Sequence, residues 1–245
     1  MSGNIVLISG ANQGIGFEIA KQLSVIPNYH VLLGSRGLEK GESAVLQIKN
    51  VGGSVEAIQL DITDGQSITA ARDLVETKYG RLDVLINNAA ILLDFQVNAD
   101  YTLGQAMQDT FATNTSGAAN LVETFLPLLK LSAVPRVVFV SSTVGSLHTF
   151  ADFKPSYTMT KYFAPAYACS KAALNMLMLL YNVQYQEKGW KINACCPGFR
   201  QTNFCDYDDK AGPVEEGASV AIELATLGKD GQSGTFVNMK GAIPW

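Results

Sequence analysis

Two tyrosine–lysine pairs with three residues between them, Tyr157–Lys161 and Tyr167–Lys171, carry the most suggestive chemistry in this chain. Positions four apart on a helix share a face, so each pair would set an ammonium beside a phenol. A free phenol ionises at a pH of about 10. A neighbouring cation favours the phenolate and lowers that value. Such a pair could deliver a proton to an oxygen that is gaining negative charge. The local sequence chooses between them. Pro165 falls four residues beyond Lys161, where it would remove a helical hydrogen bond and clash with the preceding turn. The same proline suits the first turn of a helix that carries Tyr167. Beyond Lys171 the run AALNMLMLLYNVQ continues as a helix with an apolar stripe at Leu174, Leu177, Met178 and Tyr181. Tyr167 and Lys171 are the expected catalytic pair.

Two further groups fit the same chemistry. Ser142 closes an apolar run, Arg136–Ser142, that reads as a strand, and its hydroxyl would hold a carbonyl oxygen. Its neighbour Ser141 is the rival, although alternation along a strand sends the two side chains to opposite faces. Near the start, Ser9-Gly10-Ala11-Asn12-Gln13-Gly14-Ile15-Gly16 joins a strand to a helix. Glycines there allow a tight turn and a close approach of backbone to a pyrophosphate, and the helix start adds free N–H groups. The spacing is G-x3-G-x-G, not the more common dinucleotide form G-x-G-x-x-G.

The elements that must position these groups alternate along the whole chain. Strand-like runs are expected at Asn4–Ser9, His30–Ser35, Val55–Leu60, Leu82–Ile86, Arg136–Ser142, Lys191–Cys195 and Thr235–Val237. Most are nearly continuous apolar segments, as suits a parallel sheet covered on both faces. Helical periodicity marks Ile15–Leu23, Leu38–Val51, Gly65–Tyr79, Ala99–Phe111, Ser116–Leu131 and Tyr167–Gln186. The expectation is one α/β domain spanning residues 1–245, a Rossmann-like, doubly wound parallel sheet of about seven strands with helices on both faces. Gly145–Ala166 has no regular period and reads as an irregular insertion.

Composition excludes several classes. Of 245 residues, 47% are apolar and 16% charged, enough to build a core without staples. The net charge of −4 disfavours nucleic acid or an anionic membrane as the main partner. The longest apolar stretch, Ala172–Tyr181, is too short for a membrane span, and MSGNIVLISG lacks the basic region of a secretory signal. Cys169, Cys195, Cys196 and Cys205 form no CxxC pattern, and His30 and His148 are isolated, so no metal site is expected. A reduced, cytoplasmic protein follows. Vicinal Cys195 and Cys196 are expected to be buried and inert, and Cys205 exposed.

Seven motifs in order, SGANQGIG, LDITD (Leu60–Asp64), NNAA (Asn87–Ala90), FATN (Phe111–Asn114), FVSS (Phe139–Ser142), YACSK (Tyr167–Lys171) and PGFRQT (Pro197–Thr202), resemble the short-chain dehydrogenase/reductase family over the entire chain. Within it the chain is most similar to the carbonyl-reductase group. The resemblance implies an NADP(H)-dependent oxidoreductase that reduces a ketone or aldehyde, with Asn114, Ser142, Tyr167 and Lys171 as its catalytic set. It also implies cofactor contacts from Gly10, Asn12, Gln13, Gly14, Ile15, Gly16 and Ala89, and from Asp61 and Ile62 near the adenine. Asn87 would steady the strand end, Tyr167 would also contact the cofactor, Lys171 would bind the ribose, and Pro197, Gly198 and Thr202 would border the nicotinamide. Asp61 has an alternative role as a helix cap. Tyr167 lies 25 residues after Ser142 and Tyr157 only 15, nearer the family's spacing, so the choice of Tyr167 implies an insertion.

Cofactor preference rests on the end of the second strand. Ser35 stands where an NAD enzyme needs a carboxylate, and Arg36 follows it, able to grip a 2′-phosphate. NADPH is the expected cofactor, although Gln13 replaces a second basic residue often found in the turn. If the insertion and the segment after Pro197-Gly198 both border the site, Phe150, Phe153, Tyr157, Tyr162 and Phe163, with Phe199, Phe204 and Tyr207, would wall a pocket for a bulky apolar carbonyl compound. The alternative is that these aromatics only pack the insertion down. The insertion would also cover a dimer surface, giving a monomer or weak dimer. The competing reading is a non-redox NADP(H)-binding sensor, scaffold or catalyst on the same fold.

Overall fold

The computed structural model describes residues 3–151 and 163–245. Its elements run β1 (Asn4–Ile8), α1 (Gly14–Ser24), β2 (Tyr29–Ser35), α2 (Leu38–Lys49), β3 (Val55–Gln59), α3 (Gly65–Tyr79), β4 (Val84–Asn87), α4 (Leu103–Phe111), α5 (Ala118–Leu129), β5 (Arg136–Val140), α6 (Leu147–Ala151), α7 (Pro165–Tyr185), β6 (Lys191–Cys195), α8 (Val214–Ala225), β7 (Phe236–Asn238) and β8 (Gly241–Ala242). They build one sheet in the order β3-β2-β1-β4-β5-β6-β7-β8. Strands β1 to β7 are parallel, and β8 pairs antiparallel at the edge. This is the expected single Rossmann-like α/β domain, with a two-residue strand added.

Alternation within each strand divides the core in two. Ile5 and Leu7 of β1 face one cluster, with Val75 of α3, Phe125 of α5 and Met178 of α7. Val6 and Ile8 face the other, with Ile19 of α1, Ile48 of α2 and Leu224 of α8. Strands buried on both faces explain why β5 and β6 are apolar or enclosed at every position.

Differences from the expected boundaries have local causes. Helix α4 begins at Leu103 because Thr102 and Gln105 form a reciprocal capping box. The run read as Ser116–Leu131 opens as a π-helix, Ala112–Gly117, before α5. Pro165 occupies the first turn of α7, as its fixed φ and missing N–H allow. Helix α8 was not expected from the sequence. The rival pair Tyr157 and Lys161, with Phe153 and Tyr162, lies outside the described residues. Among the described residues no helix is long and apolar enough to cross a membrane.

Candidate active site

Strand order reverses between β1 and β4, and open α/β sheets bind ligands at such a point, beyond the carboxyl ends of their strands. The glycine turn leaves β1 there. Gly14 has φ of +59°, a left-handed conformation that favours glycine. At Gly16 an added Cβ would lie 2.4 Å from Asn88 Nδ2 and 2.7 Å from the Gly10 carbonyl oxygen. Two strands are tied together at this place. Asn88 Nδ2 donates to the carbonyls of Ser9 and Gly10 (both 3.0 Å), and Ser9 Oγ accepts from the N–H groups of Asn88 and Ala89 (both 3.1 Å). Asn88, not singled out from the sequence, makes this tie. Its neighbour Asn87 is buried with no partner for its amide among the described residues. Alternation at the end of β4 separates the two, and the NNAA motif alone does not say which asparagine faces the turn.

A cleft of about 810 Å³ extends from this turn across the strand ends. At one end it is lined by Gly10, Asn12, Gln13, Gly14, Ile15 and Gly16, by Arg36, and by Asp61 and Ile62. In the middle lie Ala89, Ser142, Tyr167 and Lys171, and beyond them Pro197, Gly198 and Thr202. Every expected site residue lines this cleft except Asn87 and Asn114. Ser141 lines it as well as Ser142. Ser141 is buried, with its hydroxyl directed to the Lys171 carbonyl (3.5 Å). Asp61 does not cap α3; Asp64 does, accepting from the Gln66 N–H at 2.8 Å.

The donors present suit a dinucleotide phosphate. Helix α1 starts at Gln13 with no side-chain cap and no acidic residue in its first turn, so its N–H groups remain available to an anion. Across the cleft, a Cβ on Gly14 would touch Thr202 Cγ2 at 3.6 Å, which places the threonine opposite the turn. Arg36 is exposed at the cleft's end, with no carboxylate at ion-pair distance among the described residues.

Lys171 is 2% exposed, and its ammonium donates to the Val140 carbonyl at 2.8 Å. Burial pulls its pKa down to about 8, against opposing pulls from Cys195 and Cys196. The same ammonium lies 5.5 Å from the centre of the Tyr167 ring. The expected lowering of the Tyr167 pKa is not what the geometry gives. Burial, followed by the neighbouring Cys196 sulfur, pushes the phenol above its ordinary value. Burial of the phenol is the largest cause, and the Lys171 ammonium is hydrogen-bonded to a backbone carbonyl.

Asn114 sits in the π-helix, behind the cleft wall. Its Oδ1 accepts from the Ile91 N–H (2.8 Å), and its Nδ2 donates to the Ile91 carbonyl and to Ser170 Oγ (both 3.0 Å). Thr115 Oγ1 donates to the Ser170 carbonyl at 3.1 Å. The extra residue of the π-turn thus joins the strand-end segment to α7. Ser170, fully buried between them, carried no signal in the sequence beyond its place in the YACSK motif.

The far side of the cleft is apolar. Phe150, Phe163, Phe199 and Phe204 line it with Leu92 and Leu147. Phe204 meets the Tyr167 ring edge-on, centroids 6.0 Å apart and planes at 67°. Tyr207, expected in the wall, is 67% exposed and outside the lining. Among the described residues no disulfide forms, but the expected exposure is reversed for Cys205, which is buried with its thiol directed to the Arg200 and Thr202 carbonyls, while Cys169 is exposed on α7.

A family model described as short chain dehydrogenase matches residues 4–211. The short-chain dehydrogenase/reductase ATR10 of Stachybotrys chlorohalonatus is 41% identical over 267 residues, covering 98% of this chain and 94% of its own. Carbonyl reductase (NADPH) 1 of Mus musculus is 34% identical, with 98% of both chains covered. The crystal structure of NADPH-bound carbonyl reductase from chicken fatty liver superposes with a TM-score of 0.82 at 28% identity over the whole of both chains. If the turn and Asn88 form the cofactor cradle, Gly16→Ala weakens NADPH binding by at least about tenfold, one displaced hydrogen bond's worth. Fluorescence titration with NADPH checks this, and unchanged affinity would contradict the cradle.

Proposed function

The chain belongs to the short-chain dehydrogenase/reductase family as an NADP-dependent oxidoreductase, and on that premise we propose that it reduces a bulky, apolar ketone or aldehyde to the alcohol, with Tyr167 as the proton donor. The observation that carries this reading is the joint placement of Ser142, Tyr167 and Lys171 in one cleft whose outer wall is apolar. Bound NADPH supplies the hydride. The glycine turn and the first turn of α1 would hold its pyrophosphate, and Arg36 would hold its 2′-phosphate.

The protein's own part is the oxygen. Ser142 donates a hydrogen bond to the substrate carbonyl and fixes it beside the phenol. Tyr167 releases its proton to that oxygen as negative charge develops there. A phenol kept protonated by burial is in the state this step requires. Lys171, one turn along, meets the developing phenolate with a positive charge and reaches the ribose of the cofactor. Asn114 acts at one remove, by holding Ile91 and Ser170. The phenylalanine wall favours bulky, apolar compounds, and the relatives named carbonyl reductases support a carbonyl group as the one reduced.

Loss of NADPH absorbance across quinones, ketones, aldehydes and ketosteroids tests the reading, with turnover expected on at least one apolar class. On the best substrate, Tyr167→Phe lowers kcat by roughly 10²–10⁴-fold while NADPH still binds. A variant that turns over like the parent would remove Tyr167 from the chemistry. Arg36→Ala raises the NADPH Kd by roughly ten- to a hundredfold and leaves NADH unaffected; equal effects on both would place the 2′-phosphate elsewhere. Finally, kcat/KM for reduction is level at low pH and falls above about pH 8, where Lys171 loses its proton. Burial lowers the pKa of a cation, so the charge is present below that value and lost above it. Lys171→Arg keeps the charge and shifts this descending limb upward; a limb left in place would assign it to another group.

A further inference from the structure

Tyr167 lies in the first turn of α7, where any helix leaves backbone N–H groups without partners. The sequence just before the helix offers no cap. Ala164 holds the N-cap position without a side-chain hydrogen bond, and Pro165 has no N–H. The two N–H groups that follow are met from another part of the chain. Asp94, in the short turn Asp94–Gln96 after β4, accepts from the Ala166 N–H through Oδ1 at 2.7 Å and from the Tyr167 N–H through Oδ2 at 3.1 Å. Both carboxylate oxygens are used, each on a consecutive N–H, and the negative charge sits at the positive end of a 21-residue helix.

We propose that Asp94 is a positioning residue for Tyr167: its carboxylate fixes the backbone of the proton-donating residue and thereby the reach of the phenol into the cleft. The inference rests on the reading of Tyr167 given above. A second contact gives it direction. The same strand-end segment is held one turn farther along α7, where Asn114 joins Ile91 to Ser170. The segment also forms part of the cleft wall through Ile91 and Leu92. It therefore grips α7 on both sides of Tyr167: Asp94 takes the tyrosine's own N–H, and Ser170, held by Asn114, donates to its carbonyl at 2.7 Å.

The helix as a whole does not depend on this carboxylate. Its buried face runs on through Lys171, Leu174, Met178 and Tyr181, with packing that holds the later turns. Loss of the cap frays the first turn alone. That turn contains Tyr167 but not Lys171, whose ammonium is anchored separately on Val140. Proton delivery should suffer while cofactor binding does not.

The test compares Asp94→Ala and Asp94→Asn, each alone and with Tyr167→Phe, on the carbonyl compound that turns over fastest with NADPH. Asp94→Ala should lower kcat by about tenfold or more, as misplacement of a reacting group does. NADPH Kd should stay within about twofold, and the solvent deuterium isotope effect on kcat should rise as proton transfer becomes limiting. Asp94→Asn keeps one acceptor oxygen and should fall between it and the parent; it carries the test if the alanine variant does not fold. In the Tyr167→Phe background Asp94→Ala should have no further effect, because both changes act on the same phenol. Parental kcat in both Asp94 variants, with Tyr167→Phe inactive, overturns the proposal and leaves the mechanism standing. An equal loss in the Tyr167→Phe background, or a parallel loss of NADPH affinity, also overturns it. Full turnover by Tyr167→Phe alone overturns the mechanism first and this inference with it.

Discussion

Lys171 is withdrawn almost wholly from water, and a single backbone carbonyl, that of Val140 at the end of β5, accepts its hydrogen bond. Removing an ammonium from water is costly, and proteins accommodate it either by pairing the charge or by easing the loss of its proton. Among the described residues no carboxylate pairs with Lys171, and burial brings its pKa down to about 8. The group is thus held in place by the strand end rather than by a counter-charge, and its unshared positive field is directed into the cleft. The phenol of Tyr167, the cofactor ribose and the developing oxyanion all lie in that field under the proposed mechanism. An acidic partner would have raised the lysine's pKa and cancelled the field at once.

That arrangement requires the ends of several strands to be held in register, which is the part played by the sheet. Parallel pairing brings the carboxyl ends of β1, β4, β5 and β6 to one edge. Asn88 then fastens the β4 end to the glycine turn leaving β1, and Lys171 fastens α7 to the β5 end. Gly16 has no room for a side chain because the Asn88 amide passes directly over it. The glycine turn and α7 therefore share one edge of the sheet, although about 150 residues separate them in sequence.

Much of this was legible because it follows from local rules. Apolar strand runs, helical stripes and the position of Pro165 sufficed for the sheet, most helices and the choice of the Tyr167 helix. Helix α8 escaped because its buried face is built largely of small residues, Gly217, Ala218, Ala221 and Ala225, which make a weak stripe beside Leu or Phe. The cue that was present, Pro213 followed by Glu215 and Glu216 in the first turn, is a helix-start signal. Long-range ties were not legible. Nothing local distinguishes Asn88 from Asn87, or marks Asp94 as the partner of N–H groups some seventy residues away. The direction of the Tyr167 pKa shift differs from the expected lowering for a related reason. Helical spacing places an ammonium near the ring, but only the surroundings reveal that desolvation outweighs it.

The two shifts in this pair point the same way once each group's charge is considered. Burial disfavours the charged form of either, so it stabilises the protonated phenol and loosens the proton on the ammonium. Phe204, set against the Tyr167 ring, and the apolar wall beyond it extend that low-dielectric environment to the place where a substrate carbonyl would sit. Under the proposed mechanism, an apolar substrate seated against that wall would itself displace water from the carbonyl oxygen. Proton donation from the phenol becomes correspondingly more valuable, and the field of Lys171 is less screened than it would be in an open cleft. The features that suit the site to an apolar substrate are therefore also those that keep its proton donor loaded.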